Sequence, residues 1–284
     1  PELQDYLGDN EIEVTSIGGD ALTTRVAAGT PPDGASNVDY VQYMSRGILM
    51  DIGSWVDSST VIDPDDHIES VWGNASYKGV MYGVPANENW IWYGLNYNAA
   101  IVEAAGLDPD SPPETWDEAL EWHKELTTFD DAGNMSMVGL DPYDAIANEP
   151  DFWALSFGFQ WFNEDTGEFN LENEGMIEAI NTGAEFYRIA GPDNMVAMRQ
   201  VEGQGTWGGS YNAEVQAMII EGYWHPGETI TSVPEVGEHN RTSWAPVPTS
   251  RKGTKIQGAG GHYVVFFNES ENPEPMFKIA EFLN

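Results

Sequence analysis

The chain lacks cysteine and contains very little positive charge. Its 284 residues include 47 Asp and Glu against 11 Lys and Arg, so the formal net charge is −36. The absence of cysteine excludes a disulfide framework, a thiolate metal site and a cysteine nucleophile. The scarcity of cations argues against nucleic acid and against an anionic membrane surface as partners, because Lys and Arg drive binding to both. Since no apolar run reaches about 18 residues, the sequence also predicts no membrane-spanning helix.

Sequence motifs of catalysis and of metal binding are missing as well. The five histidines have no zinc-ligand spacing, and neither a G-x-S-x-G elbow nor a Walker phosphate loop occurs. Residues 203–208 match G-x-G-x-x-G, but they are weak evidence for a dinucleotide site, because no buried strand precedes them and Trp207 would crowd a pyrophosphate. We therefore expect no catalysis, no metal and no cofactor. A secreted glycoside hydrolase stays open as an alternative, since 47 carboxylates are too many to nominate one catalytic pair.

The remaining composition predicts a folded α/β protein. Hydrophobic residues make up 41% and aromatic residues 12%, which is too apolar for a disordered chain despite the charge. Apolar spacings typical of strands and of helices alternate along the sequence. They predict strands at 11–17, 38–43, 80–84, 90–95 and 263–267, a hairpin turn at 163–168, and helices at 20–28, 98–105, 116–126, 174–190, 213–221 and 272–284.

Two of the predicted helices carry further detail. Thr115 can cap the helix that begins at Trp116, and Glu118 three residues later completes a capping box. Trp116 lies on the apolar stripe of that helix, so we assign it to the core. The stripe predicted to face the core on the longest helix consists of Ile177, Ile180, Ala184 and Tyr187.

The placement of tryptophan is the most informative feature of the sequence. Many of the 11 Trp lie in connections rich in Gly, Asn and Pro rather than on helical stripes. An indole at a strand end offers a flat apolar face on which a sugar ring can stack, while carboxylates and amides bind the hydroxyls. For any single Trp, a core-filling role is the alternative. The tryptophans in such connections are Trp90, Trp92, Trp153, Trp207 and Trp224.

The excess of acidic residues has two interpretations. It can form a solvated surface that keeps the protein soluble, for example in a salty habitat. It can also steer a cationic ligand, such as a polyamine, toward the protein. Net charge alone does not separate the two, because the local charge around the ligand decides between them.

Six segments carry motifs that occur together in one known family. They are R-V-A-A-G-T-P-P-D at 25–33, G-I-L-M-D-I at 47–52, K-G-V-M-Y-G-V-P at 78–85 with Y-N at 97–98, P-E-T-W-D-E at 113–118, A-M-I-I-E-G-Y-W at 217–224, and G-G at 260–261 before an apolar strand. In this order, over nearly the whole chain, the segments resemble the extracellular solute-binding proteins of ABC importers. That family includes sugar- and maltose-binding proteins.

The resemblance implies an α/β fold of two lobes, the type II periplasmic-binding-protein fold that closes on its ligand like a Venus flytrap. Residues 1–93 and 260–284 would form lobe 1, residues 94–259 would form lobe 2, and a hinge would join these interleaved lobes. The resemblance also implies that the chain begins inside or after the family's first strand and stops before its C-terminal helices. The implied location is extracytoplasmic, in the periplasm or at the cell surface, with a lipidated or cleaved N-terminus.

The resemblance further implies a function and a site. The function is capture of a mono- or oligosaccharide between the lobes and its delivery to an ABC permease, by a monomer and without catalysis. A polyamine-binding protein is the alternative within binding, favoured by the net charge and by Asp39 and Glu88. By position, the family's cleft residues map onto Asp39, the stretch 88–92, Trp153, Trp224 and His262. With Trp207 added for its Gly-rich setting, the predicted site comprises Asp39, Glu88, Trp90, Trp92, Trp153, Trp207, Trp224 and His262.

Overall fold

Two compact units make up the chain, and the polypeptide passes from one to the other twice. Unit 1 contains Pro1–Trp90 and Ala259–Asn284, and unit 2 contains Ile91–Gly258. The lobe boundaries expected from the sequence differ from these by three residues at the first passage and by one at the second. The hinge between the lobes stays a prediction. The structure, a computed structural model, describes residues 2–143, 154–163, 166–170, 172–200 and 208–284.

Helices and short strands alternate in both units. The helices are α1 Glu2–Leu7, α2 Gly19–Ala27, α3 Tyr40–Ser45, α4 Gly53–Ser58, α5 Glu69–Asn74, α6 Ala99–Ala104, α7 Trp116–Leu126, α8 Glu174–Ala190, α9 Pro192–Arg199, α10 Gly209–Asn212, α11 His225–Ser232, α12 Pro234–Gly237 and α13 Pro273–Leu283. The strands are β1 Gly34–Ala35, β2 Ser76–Tyr77, β3 Val80–Met81, β4 Gly83–Ile91, β5 Tyr93–Asn98, β6 Thr128–Phe129, β7 Met135–Leu140, β8 Phe162–Asn163, β9 Glu168–Phe169, β10 Gln216–Gly222, β11 Asn240–Trp244 and β12 Ala259–Phe266. Within the described ranges, no helix combines the length and the apolar character needed to cross a membrane.

The sheet of unit 1 has the strand order β1-β12-β4, so β12 is its central strand. Successive side chains of a strand point to opposite faces, and β12 is apolar on both. Tyr263 and Val265 pack in one cluster with residues of α2, α3 and α5. Val264 and Phe266 pack in a second cluster with residues of α4 and α13. Helices therefore cover both faces of this sheet, which explains the continuous apolar run predicted as a strand.

The sheet of unit 2 has the strand order β11-β5-β10-β7-β6, with β10 at its centre. Every residue of β10 is buried. Leu95 of β5 and Ile220 of β10 lie opposite each other and share a core cluster with Trp116 and Phe186. This core packs α7 and α8 against one face of the sheet. Trp116 is 2% exposed, as expected of a core residue.

Several local predictions are confirmed. Thr115 and Glu118 form the capping box at the start of α7, with both reciprocal hydrogen bonds present. The longest helix spans Glu174–Ala190, the bounds predicted from the sequence. The predicted hairpin is formed by β8 and β9, in which Phe162 pairs with Phe169.

Two predicted strands in unit 1 are wrong. Residues 38–43 lie largely in α3, because Asp39 caps this helix by accepting the Gln42 N–H at 3.1 Å. Tyr43 and Met44 are the buried residues of that helix. Residues 11–17 belong to no strand, and all seven are exposed. An alternating pattern needs a neighbouring strand before it can form a ladder, and none of the described residues supplies one.

Two predictions in unit 2 are also wrong. The helix predicted at 213–221 is mostly the strand β10, because a segment flanked by two strands is buried on all sides and needs no helical periodicity. On α8 the predicted core stripe is not the buried side: Ile177 is 59% and Ile180 45% exposed, while Ala184 and Tyr187 are only partly buried. The residues that α8 buries are mostly small, which lets the helix approach its neighbours closely: Gly175, Ala179, Gly183, Phe186 and Ala190.

His123 joins α7, β7 and α8 in the core of unit 2. Its Nδ1 accepts the Leu140 N–H at 2.9 Å, so this nitrogen carries no proton. Its Nε2–H therefore donates to the carbonyl of Phe186, at 3.1 Å. Burial lowers the pKa of His123 to about 4, and it has the same effect on the buried His225. Both histidines are consequently neutral in the folded protein at neutral pH.

We expect these two histidines to make the protein less stable as the pH falls from about 6.5 to 4. In this window the unfolded chain binds protons that the folded chain excludes, so each histidine costs about 2 kcal/mol by pH 5. Urea unfolding across this pH range measures the effect. His123→Gln should flatten the profile, whereas the same change at the exposed His239 should not. If the stability of the parent and of the His123→Gln variant depends on pH in the same way, His123 is not the group that is held neutral in the folded protein.

Candidate functional site

The strand ends of unit 2 gather at one edge of its sheet. β10 is parallel to β7 and antiparallel to β5, and β11 is also antiparallel to β5. The carboxyl ends of β7, β10 and β11 therefore share an edge with the amino end of β5. We call this the carboxyl edge; Tyr93, Asp141, Gly222 and Trp244 mark it. Ligands of open α/β sheets bind outside the carboxyl ends of strands, so this edge is the candidate site.

Trp224 lies at the carboxyl edge, two residues beyond the end of β10. It is the N-cap residue of α11, and its side chain is partly buried. A Cβ atom on Gly222 would lie 2.5–2.6 Å from three atoms of the Trp224 ring. The indole therefore rests on glycine backbone, and any other residue at 222 would displace it. This contact gives the G-x-W spacing of the sequence a physical basis.

Trp92 has a similar relation to a second glycine, which is the last residue of unit 2 in the sequence. Its backbone N–H donates to the carbonyl of Gly258 at 2.9 Å. A Cβ atom on Gly258 would lie 2.9 Å from Cδ1 of the Trp92 ring. The ring is partly buried and packs against the core cluster of unit 2. Trp92 and Trp224 thus lie at the same sheet edge, each placed by a glycine.

An open pocket of about 290 Å³ at the carboxyl edge is bordered by two exposed aromatic residues. Tyr223 is 42% exposed and Trp244 is 40% exposed. The Tyr223 ring meets the Trp224 ring edge to face, with centroids 5.1 Å apart. The ammonium of Lys255 lies 4.6 Å from the centroid of the Trp244 ring. The edge therefore presents aromatic surface to solvent, which is uncommon for side chains that serve only the core.

In unit 1, the structure brings Trp90 and His262 together. Their rings meet edge to face, with centroids 4.7 Å apart. Trp90 is only 7% exposed, whereas His262 is partly buried. The indole of Trp90 therefore presents little surface within unit 1, and its role in binding stays a prediction.

The structure gives no support for a binding role of the other four predicted site residues. Asp39 is exposed and accepts both the backbone N–H and the side-chain amide of Gln42, at 3.1 and 2.9 Å. That contact gives Asp39 a structural role as a helix cap. Glu88 lies on β4, but its side chain is outside the described part of the structure, as are Trp153 and Trp207.

A buried polar layer supports the turn that carries Trp224. Glu221 is fully buried, and its Oε1 accepts the N–H of Gly222 at 2.8 Å. On α11, the hydroxyl of Thr229 donates to Oδ1 of Asn212 at 3.1 Å. Buried polar groups bonded in this way fix their surroundings, because breaking one bond leaves a partner unsatisfied. The β10–α11 turn is therefore held in one conformation, as a stacking platform requires.

An ion pair between the buried Asp141 and the partly exposed Arg199 fixes the end of β7. The guanidinium of Arg199 donates to both carboxylate oxygens of Asp141, at 2.5 and 2.7 Å. Tyr187 donates its hydroxyl to the same carboxylate at 3.0 Å. Burial raises the pKa of Asp141, while the bonds from Arg199 oppose that shift. The pair ties the carboxyl end of β7 to α8 and α9.

Four residues of this edge were not predicted from the sequence: Tyr223, Trp244, Asp141 and Arg199. Asp141 directly follows an apolar strand, which is a signal that sequence could have offered. Arg199 is one of only 11 Lys and Arg, and a cation in so acidic a chain is a candidate for a specific partner. Trp244 could not be predicted because its strand, N-R-T-S-W, is polar and is the outermost strand of the sheet.

The chemistry of the carboxyl edge would suit the binding of a ligand. Aromatic rings with exposed faces stand beside fixed backbone and polar groups, an arrangement that suits a ligand with apolar faces and several hydroxyls. Across the described residues, no group of three or more His, Asp or Glu is placed to hold a metal ion.

Many solved structures share the fold of this chain, among them the following three. CpMnBP1 with mannotriose bound aligns with a TM-score of 0.78 and 20% identity, over 98% of this chain and 71% of that one. Lmo0181 from Listeria monocytogenes, an ABC substrate-binding protein in complex with cycloalternan, aligns with a TM-score of 0.76 and 21% identity, over 99% of this chain and 70% of that one. The sugar-binding protein MalE from Xanthomonas citri aligns with a TM-score of 0.76 and 20% identity, over 99% of this chain and 71% of that one. These likenesses confirm the predicted fold class, the two-domain α/β fold of periplasmic binding proteins.

The sequence itself identifies the family. No curated protein matches the chain. A family model does match, over residues 4–284, and it describes the bacterial extracellular solute-binding proteins. The six motifs found in the sequence lie within this range. The chain therefore belongs to the bacterial extracellular solute-binding protein family.

Proposed function

We propose that the chain captures a carbohydrate at the carboxyl edge of unit 2 and delivers it to an ABC permease. The observation that carries the proposal is the row of aromatic side chains there: Trp92, Tyr223, Trp224 and Trp244. Two of these residues are about two-fifths exposed. A sugar ring presents an apolar face and a rim of hydroxyls, which matches aromatic faces beside polar groups. Trp90 and His262 of unit 1, with Asp39, Glu88, Trp153 and Trp207, complete the proposed ligand set.

The related structures support a carbohydrate as the ligand class. CpMnBP1 holds mannotriose, the Listeria protein holds cycloalternan, and the Xanthomonas protein is a sugar-binding protein. All three align with nearly the whole of this chain. A neutral mono- or oligosaccharide therefore fits better than a polyamine or another cationic solute.

The proposed mode of action is binding without turnover. The family consists of extracellular solute-binding proteins, so the protein would act outside the cytoplasm, in the periplasm or at the cell surface. There the protein would act as a monomer, with a lipid anchor as one way of holding it at the cell surface. Its macromolecular partner is the permease, and the sugar leaves the site chemically unchanged.

A thermal-shift screen tests the proposal. A ligand that binds only the folded state raises its stability by about 2.7 kcal/mol at a hundredfold excess over Kd. We expect at least one neutral sugar among mannobiose, mannotriose, cycloalternan and tagatose to raise the melting temperature, and spermidine to leave it unchanged. A shift with spermidine alone would overturn the ligand class. Cleavage of a labelled oligosaccharide would show that the protein is a hydrolase and not a binding protein.

We also expect the affinity for a neutral sugar to be nearly independent of salt. Salt screens pairs of charges but not the stacking of a sugar on an aromatic ring, so the net charge of −36 should have little influence on Kd. Titration in about 0.05 M and about 0.5 M NaCl measures this, and less than a twofold change is the expected result. Tenfold weaker binding at high salt would indicate a cationic ligand drawn by the acidic surface.

A further inference from the structure

A second, larger pocket of unit 2 also borders on Trp244. It has a volume of about 740 Å³ and is formed by the connection before α7, the first turns of α7, the end of β11 and residues 252–255. We call it the α7 pocket. Ser243 and Trp244 line both this pocket and the pocket of about 290 Å³ at the carboxyl edge. The two pockets are therefore adjacent, and the exposed Trp244 forms part of the wall of each.

The α7 pocket combines buried apolar residues with an exposed polar rim. Pro113, Trp122 and Ala245 are buried residues of its lining, whereas Asp110 and Thr254 are exposed. An apolar lining with a small number of polar groups is typical of pockets that bind small molecules. The α7 pocket therefore has the composition of a ligand site rather than of a gap in the packing.

Trp122 provides a buried hydrogen-bond donor in this pocket. Its ring meets that of Tyr97 edge to face, with centroids 5.8 Å apart, and the residue is only 9% exposed. The indole N–H has no hydrogen-bond partner among the described residues. Buried donors normally have a partner, because leaving one unsatisfied costs free energy. A ligand hydroxyl in the α7 pocket would supply the missing acceptor.

Two charged side chains at the rim are also available to a ligand. The ammonium of Lys255, 4.6 Å from the centroid of the Trp244 ring, forms no ion pair with any described carboxylate. The carboxylate of Asp110 makes no hydrogen bond or ion pair with a described residue. Lys252, by contrast, is paired with Glu118. The rim thus offers a donor and an acceptor, and a sugar hydroxyl can bond to either.

The volumes of the two pockets distinguish a short ligand from a long one. Pockets for small molecules typically enclose about 300–1,000 Å³. The pocket at the carboxyl edge, at about 290 Å³, lies at the lower end of this range, and the α7 pocket adds about 740 Å³. A ligand that uses only the carboxyl edge is therefore small, whereas one that continues past Trp244 is much longer.

We propose that the α7 pocket binds the distal rings of an oligosaccharide whose first rings occupy the carboxyl edge. Trp244 contacts the sugar where it passes from one pocket to the other, and Trp122 donates its N–H to a ring hydroxyl. Asp110 and Lys255 bind hydroxyls at the rim. This inference rests on the proposed function and adds the size of the ligand, an oligosaccharide longer than a disaccharide.

The dependence of binding on the length of the sugar tests this proposal. Calorimetry compares tagatose with manno- and malto-oligosaccharides from mono- to hexasaccharide. We expect Kd to fall by about tenfold or more from the disaccharide to the tetrasaccharide of the series that binds, because the added rings gain contacts in the α7 pocket.

Two variants locate that gain in the α7 pocket. Trp122→Phe keeps an aromatic ring against Tyr97 but removes the N–H, and Asp110→Ala removes an exposed carboxylate without disturbing the core. Each should weaken tetrasaccharide binding by about threefold to tenfold and leave disaccharide binding unchanged. Trp161→Phe is the matched control: Trp161 is 53% exposed and lines neither pocket, so this variant should keep the full gain.

The indole N–H resonance of Trp122 reports contact in the α7 pocket directly. Assigned by its absence from the NMR spectrum of Trp122→Phe, it should shift with the tetrasaccharide and not with the disaccharide. Equal Kd for both sugars, or a full gain in both Trp122→Phe and Asp110→Ala, would overturn the extended site and leave the proposed function intact. If none of these sugars binds, the proposed function fails and the extended site fails with it.

Discussion

Arg199→Met is expected to lower the free energy of unfolding by about 3–5 kcal/mol, the cost of leaving the buried carboxylate of Asp141 without its cationic partner. The Asp141 side chain is 3% exposed, and Arg199 supplies two of its hydrogen bonds. The Tyr187 hydroxyl and the Tyr143 N–H would still bond to the carboxylate, which favours the lower end of that range. Urea unfolding at neutral pH measures the loss.

The matched control for this change lies on the neighbouring helix. Arg188 forms an ion pair with Glu185, but both side chains are about half exposed or more, so Arg188→Met should cost less than about 0.5 kcal/mol. Adding Asp141→Asn to Arg199→Met should restore most of the stability, since no buried charge then lacks a partner. A double variant as unstable as Arg199→Met would show that the guanidinium acts through packing instead.

The pH dependence of Arg199→Met provides an independent check. Without the guanidinium, burial holds the pKa of Asp141 still further above its ordinary value. The folded state then binds a proton at a pH where the unfolded chain does not, so stability is gained as the pH falls through that raised pKa. The defect of the variant should therefore shrink between neutral pH and about pH 5.

Trp224→Ala is expected to weaken sugar binding by about tenfold to a hundredfold. The estimate takes about 1–3 kcal/mol for one ring stacked on an aromatic side chain, by analogy with bases on aromatic residues. Because Trp224 is only partly buried, the ligand-free variant should lose much less stability than the 3–5 kcal/mol typical of a core Trp. Calorimetry with the best sugar, beside urea unfolding, separates a platform from a core residue.

Two further variants sharpen the test of Trp224. Gly222→Ala places a methyl group within 2.6 Å of the indole, so it should displace the ring and weaken binding about as much as Trp224→Ala. Phe129→Ala is the control, since Phe129 is 45% exposed and pairs with Met135 at the opposite edge of the sheet. If all three variants bind as tightly as the parent, Trp224 is not part of the ligand site.

Local signals in this sequence predicted local structure well. The capping box at Thr115 and Glu118 depends on hydrogen bonds between residues three apart, so the sequence contains everything needed to form it. The same holds for α8, whose start is capped by Asn173 and whose end is marked by Gly191. The G-x-W spacing at 222–224 is a similar case, because glycine and ring lie two residues apart.

Predictions failed where distant segments decide the outcome. A-M-I-I-E is a strand only because β5 and β7 flank it, and neither neighbour can be inferred from those five residues. On α8, the side buried is the one whose small residues allow close packing, and a count of apolar residues selects a neighbouring side instead. Trp244 reaches the carboxyl edge through the register of β11 on β5, which also depends on partners far along the chain.

Native mass spectrometry of the chain with a mixture of neutral oligosaccharides and spermidine tests carbohydrate capture most directly, because the mass of the complex identifies the ligand and shows whether it is intact. Carbohydrate capture predicts a one-to-one complex with an uncleaved sugar, formed in the presence of spermidine and strongly reduced in Trp224→Ala. A complex with spermidine alone, or a retained sugar fragment with free cleavage product, would contradict it.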